Sequence, residues 1–287
     1  MKTRILSAAV LLPAFLVVVL VCPAWATAVL FGAVASLAVY ELMYRTGMVK
    51  NLRLVIYAMV MAFLVSLWSL NKSSTLAAIG LLVYLLALLG EFLWSFSHGS
   101  KLRFERLCLC LVCGLLIPYL LTAMVRIRAM YAGIDPADNT LGKYLILIPC
   151  ILTFTADSAA YFVGRAFGKH KLAPVISPKK TIEGAIGGVI CTVVLLEVYV
   201  LLLDKAFGFD VIYGYGPLYG ILGSTISILG DLSFSVIKRQ AGIKDYGNLI
   251  PGHGGALDRF DSMILVAPVT EVLLLTLPIA VPMAGVG

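Results

Sequence analysis

Charge is what this sequence has least of. Asp, Glu, Lys and Arg make up 13% of its 287 residues and hydrophobic residues 61%, against roughly 25% charged residues in a soluble domain. Mean hydropathy is +1.01. A soluble globular protein is excluded, and length then says little about domain number. The net charge of +7 has no soluble basic module behind it, which argues against a nucleic-acid partner; cytoplasmic loops rich in Lys and Arg are the ordinary source of such an excess in a membrane protein. There is no low-complexity segment and no evident internal repeat, which removes support for a transporter built from duplicated halves. Histidine is scarce, with three in the chain, and none adjoins Cys108, Cys110 and Cys113. Spacings of two and three do not place those three thiols on one helical face, so they read as small buried hydrophobes and not as a metal knuckle.

What is abundant is apolar sequence in runs of membrane-spanning length, about 20 residues each. Nine spans are predicted: Ile5–Val21, Ala26–Tyr44, Leu54–Leu70, Thr75–Phe96, Leu107–Val125, Tyr144–Phe162, Ile182–Leu203, Tyr215–Ile237 and Ser262–Met283. The expected fold is an all-α polytopic integral membrane protein with about nine transmembrane helices. Its expected parts are an N-terminal helical region, 1–140, with about five helices, and a C-terminal catalytic region, 141–287, with two cytoplasmic loops at 164–181 and 238–261. Ala24-Trp25-Ala26 after the first apolar run resembles a signal-peptidase site, but that run is long and a second span follows directly, so a retained helix is preferred. With the N-terminus placed in the cytoplasm, only Lys72, Arg126, Arg128, Lys143 and Lys205 of the 22 Lys and Arg residues fall on the outer side, as the positive-inside rule requires.

One stretch, Ser235–Asp261 (SVIKRQAGIKDYGNLIPGHGGALDRFD), is polar where its surroundings are not. It combines Lys238, Arg239, Lys244 and Arg259 with Asp245, Asp258 and Asp261, and Asp231 lies just upstream. Asp258 and Asp261 are spaced to share a helix face. The turn Pro251-Gly252-His253-Gly254-Gly255 before them offers backbone N–H groups of the kind that hold phosphate oxygens. The two acids read either as ordinary first-turn carboxylates or as ligands of a hard cation, which Mg²⁺ takes from one or two carboxylates plus substrate phosphates. Asp231, an ionisable group inside an apolar span, reads as functional or as an internal hydrogen-bonded or salt-bridged residue, and facing the other two it would complete a three-carboxylate site. Asp157 is a second membrane acid, among small residues that allow close helix packing. In the other loop, Ser177-Pro178-Lys179-Lys180-Thr181 leads into a helix with Thr181 as N-cap and Glu183 in its first turn. Lys179 and Lys180 serve either as a polyphosphate cradle or as positive-inside charges alone. His253 reads as a phosphate contact or as an uninvolved loop residue. Glu41, Glu91, Glu197 and Glu271 read as packing or interface residues.

Ser235, Lys238, Arg239, Lys244, Asp245, Pro251, His253, Gly254, Gly255, Asp258, Arg259 and Asp261 together match S-x-x-K-R-x4-K-D followed by P-x-H-G-G-x-x-D-R-x-D. This resembles the signature of the CDP-diacylglycerol synthase, or phosphatidate cytidylyltransferase, family. Asp231 stands where that family has its intramembrane acid, and Ser177–Gly184 and Asp157 with Ala160-Tyr161 and Gly164-Arg165 are also similar to it. Ala256 departs from the pattern, in which a larger aliphatic residue is usual. The likeness is strong over the C-terminal half; the first 140 residues match only as a set of spans.

The resemblance implies conversion of CTP and phosphatidic acid to CDP-diacylglycerol and pyrophosphate in phospholipid biosynthesis, at the cytoplasmic surface of the inner membrane. The implied catalytic residues are Asp231, Lys238, Arg239, Asp258, Arg259 and Asp261, with Asp231, Asp258 and Asp261 holding Mg²⁺. Mn²⁺ is an allowed substitute and a monovalent cation an allowed addition. Ser177, Lys179, Lys180, Thr181, Lys244, His253, Gly254 and Gly255 are the implied substrate contacts. Expected partners are the two substrates and the bilayer, with no nucleic acid, and a homodimer is left open. A CTP enzyme acting on another lipid, a cation transporter and a lipid scaffold stand as alternatives.

Overall fold

The computed structural model describes residues 2–71, 74–98, 102–132, 140–248 and 254–281. Its helices in chain order are α1 (Lys2–Leu20), α2 (Ala24–Arg45), α3 (Leu52–Asn71), α4 (Ser74–Ser97), α5 (Phe104–Arg128), α6 (Thr140–Phe167), α7 (Ile182–Lys205), α8 (Gly216–Gln240), α9 (Leu257–Phe260) and α10 (Met263–Thr276). Among the described residues, α2 to α8 are the seven helices long and apolar enough to cross a membrane. The protein is all-α and polytopic. The nine predicted spans fall on α1 to α8 and α10, and two of them, α1 and α10, are not among those seven; in α1 the apolar part is the shorter stretch Ala9–Leu20. The ninth, predicted over Ser262–Met283, is a helix of 14 residues, about 21 Å at 1.5 Å per residue against a hydrocarbon core of about 30 Å. Pro278 is the reason. The residue before a proline is driven out of the helical region, and Leu277 sits at φ −135°, ψ 67°. The chain then forms a two-residue strand instead.

The chain folds into two compact units, Met1–Val125 with Lys238–Phe260, and Arg126–Ile237 with Asp261–Gly287. In the first, α2 and α3 pack tightly, and two serines tie them: Ser66 Oγ donates to the Ala28 carbonyl at 2.7 Å and Ser36 Oγ to the Met59 carbonyl at 2.8 Å. In a membrane such bonds replace the hydrophobic effect as the glue between helices. The last turn of α2, Glu41–Arg45, is wound as a π-helix, and so is Val112–Leu116 within α5. Beside the latter, the Tyr84 hydroxyl donates to the Cys110 carbonyl at 2.7 Å. Cys110 and Cys113 are buried free thiols.

In the second unit, α6 and α7 lie against each other along a seam of small residues. A Cβ on Gly184 or Gly188 would stand 2.6 or 2.9 Å from the carbonyl oxygens of Ala160 and Ala156, closer than any side chain tolerates. The link between these helices is a hairpin of β1 (Lys171–Ala173) and β2 (Ser177–Thr181), antiparallel with Lys171 opposite Thr181 and Ala173 opposite Ser177. Glu183 ties down its base, accepting N–H bonds from Lys169 and His170 at 3.0 and 3.2 Å and facing His170 Nδ1 at 2.6 Å. A second pairing joins β3 (Asp210–Val211) to β4 (Ala280–Val281). Glu271 of α10 takes a bidentate grip from Arg126, with Nε and Nη2 each at 2.7 Å.

Candidate active site

In the second unit the hairpin, α6, α7 and α8 enclose a cavity of about 430 Å³. Its basic wall is Arg165, Lys171, Lys179 and Lys180; its acids are Asp157 and Asp231; Tyr161, Leu172, Ala185 and Ile228 supply an apolar side. Each position has a local cause. Thr181 caps α7, its Oγ1 accepting the Gly184 N–H at 3.2 Å, which fixes the strand-to-helix corner. Strand alternation carries Lys180 from that corner to α8, where its ammonium pairs with the Asp231 carboxylate. Ser235, one turn further along α8, adds its hydroxyl at 3.4 Å from Asp231 Oδ1. The structure therefore joins Lys179, Lys180, Thr181 and Asp231, read as belonging to separate motifs, around one concavity. Ser177 is not in its lining.

In the first unit the polar stretch begins where α8 ends. Gly242, at φ +69°, takes the left-handed conformation that closes a helix. Its N–H bonds the Arg239 carbonyl at 3.1 Å, and the Ile243 N–H bonds the Lys238 carbonyl at 3.0 Å, the paired pattern of a Schellman cap. Arg239 Nη1 reaches the Ile243 carbonyl at 3.4 Å, and Lys244 follows on the exposed surface. Lys238 turns inward. Its Nζ lies 3.0 Å from Asp258 Oδ1 and over the Tyr246 ring, 5.3 Å from the centroid. Asp258 Oδ2 accepts the N–H groups of Tyr246 at 2.9 Å and Gly255 at 3.0 Å. Gly254 makes the turn before it at φ +89°. Arg259 is exposed, α9 ends at Phe260, and Asp261, which opens the second segment of the other unit, accepts the Ser262 N–H at 2.8 Å. His253 lies outside the described residues.

Among the described residues no group of three His, Cys, Asp or Glu side chains is gathered as a metal site. The donor chemistry nonetheless suits a hard dication, since the three predicted ligands offer carboxylate oxygens. Two of them, Asp231 and Asp258, already hold a cation in the form of a lysine ammonium.

Two further residues stand out. Tyr246, 1% exposed, lies under the Lys238 ammonium and gives its N–H to Asp258. Glu41, read from sequence as a packing or interface residue, is buried and accepts the Ala256 and Leu257 N–H groups at 3.0 and 2.8 Å. The signal for Glu41 was present: an acid inside an apolar span, the criterion that singled out Asp231.

Comparison with known proteins places the chain in a family. The model of the cytidylyltransferase family matches residues 2–277. A phosphatidate cytidylyltransferase of Haemophilus influenzae is 34% identical over 282 residues, covering 93% of this chain and 96% of the relative. One from Staphylococcus haemolyticus is 34% identical over 277 residues, covering 96% and 99%, and one from Staphylococcus saprophyticus is 42% identical over 134 residues, covering 47% and 50%. With a match along almost its whole length, a multi-pass helical architecture and acid–base clusters built from the signature residues, the chain belongs to the cytidylyltransferase family and is a nucleotidyl-transferring enzyme.

Proposed function

We propose that the enzyme transfers the cytidylyl group of CTP to phosphatidic acid at the cytoplasmic surface of the inner membrane. A phosphate oxygen of phosphatidic acid attacks the α-phosphorus of CTP, the bond from that phosphorus to the bridging oxygen breaks, and pyrophosphate leaves. The observation that carries this reading is the cationic cavity beside Asp231, whose wall is part lysine and arginine and part apolar surface. That suits a substrate with an anionic head and a hydrocarbon tail.

The chemistry demands little covalent help from the protein. The phosphate monoester is largely ionised near neutral pH, its second pKa being about 6, so no strong general base is required. Transfer of this kind depends on positioning and charge neutralisation. Lys179, Lys180 and Thr181 hold phosphate oxygens at the cavity wall, and Lys180 exchanges its Asp231 partner for substrate. Arg239, Lys244 and Arg259, on the exposed surface, receive further phosphate charge, with His253, Gly254 and Gly255 offering donors in the turn. Lys238, committed to Asp258, keeps that carboxylate oriented. Asp231, Asp258 and Asp261 are the residues that would hold Mg²⁺, or Mn²⁺ in its place, which supplies charge neutralisation at the CTP phosphates.

The test is incorporation of radiolabelled CTP into chloroform-soluble lipid by the purified protein in detergent with phosphatidic acid, with and without Mg²⁺, beside an Asp261→Asn variant. Label that requires Mg²⁺ and is lost in the variant is the expected result. No label from the wild type, with a working control enzyme, overturns the acceptor and directs the assay to isoprenoid phosphates.

A further inference from the structure

Glu41 is a buried acid for which the transfer chemistry has no use. It opens the π-helical turn at the end of α2, and such insertions gather at functional sites. Its side chain bridges to backbone far along the chain, Oε1 to Ala256 N and Oε2 to Leu257 N. With the preceding N–H, that of Gly255, given to Asp258, three successive backbone donors are shared between two acids. Donors divided in this way offset the repulsion between two carboxyl groups at close quarters. The surroundings are shaped to the Glu41 side chain: a Cβ on Gly247 or on Gly255 would run into it.

We infer that Glu41 is a positioning residue for the transfer reaction, clamping the backbone at residues 255–257 so that Asp258, and with it the Lys238 ammonium, is held in its working geometry. This rests on the activity proposed above. A residue serving packing alone would be as well replaced by any side chain that fills the space. A clamp needs two acceptors on one rigid fork.

Glu41→Gln is the direct test. It keeps the shape and one acceptor, but sets an amide NH₂ against a backbone N–H, leaving a buried donor unsatisfied. The expected result is a fall in kcat of about tenfold or more, beyond any loss of folded fraction, with KM for CTP and for phosphatidic acid within about twofold of wild type and a modest drop in melting temperature. Gly247→Ala displaces the same side chain with Glu41 intact and is expected to give the same split; it decides the matter should Glu41→Gln fail to fold. Hydrogen exchange of the peptide over residues 254–260 is expected to speed up in both variants. Wild-type kcat in a variant whose exchange is faster overturns the inference, as does activity lost only in proportion to the folded fraction. If the wild type incorporates no CTP, the proposed activity falls on its own. Unchanged exchange in both variants then overturns the clamp separately.

Discussion

Each unit of the protein carries a lysine–aspartate pair drawn from its motif residues, and the two pairs are built to opposite specifications. Lys238 and Asp258 are 11% and 4% exposed, and the carboxylate also holds two backbone N–H groups. Lys180 and Asp231 are 24% and 25% exposed on the wall of a cavity. The closed pair is held by the backbone around it, so a metal ion reaching Asp258 would join the Lys238 ammonium and not displace it. An open pair can release its ammonium to an arriving phosphate. The same two residue types thus do different work: one pair fixes a loop, the other waits for substrate. Composition alone does not separate them, because the distinction lies in how many backbone donors each carboxylate has collected.

The contrast meets its most severe test at the closed pair. Asp258→Ala strands a buried ammonium and two backbone N–H groups, and removing one partner of a buried pair costs about 3–5 kcal/mol. Thermal unfolding in detergent is expected to shift down by many degrees and CTP incorporation to vanish; an unchanged melting temperature would show that this pair is open in the working protein. Next, Asp231→Asn is expected to lower kcat by about a hundredfold, the scale of losing one preorganised electrostatic group. Its effect on stability should stay below about 1 kcal/mol, because a partly exposed pair contributes little. A large stability loss here would erase the difference between the pairs. Lys180→Gln follows, with KM for CTP raised about tenfold and unfolding unaltered, measured at low salt, where screening is weakest. The smallest effect is expected from Gly242→Ala. A side chain in the left-handed conformation costs about 1–2 kcal/mol, read as a modest drop in melting temperature with kcat nearly retained.

The helices were legible because an apolar run of spanning length has little else it can form, and eight of the predicted spans became helices over nearly their predicted extent. The ninth was overextended, since hydropathy does not register what Pro278 does to Leu277. The two motif loops were legible as charge in an apolar chain, and the cap at Thr181 as a hydroxyl before an acidic first turn. Their internal wiring was not. That Lys180 reaches Asp231 depends on a hairpin register, and that Lys238 turns inward depends on where α8 stops. Glu41 escaped for a related reason. Its partners are backbone N–H groups, which carry no residue identity and leave no trace in a motif.

The seam between α6 and α7 has a consequence for how the protein is made. Synthesis runs from the N-terminus, and early segments form structure before later ones exist. The α6–hairpin–α7 segment contains its own glycine seam, its own Thr181 cap and its own Glu183 clasp, all closed without help from α8. Its internal contacts can therefore form before α8 packs against it. The packing of α8 is the event that supplies the Asp231 carboxylate to Lys180. Assembly of the cavity is in this sense a rehearsal of catalysis, with Asp231 joining Asp157 of α6 among the basic side chains that substrate phosphates later approach.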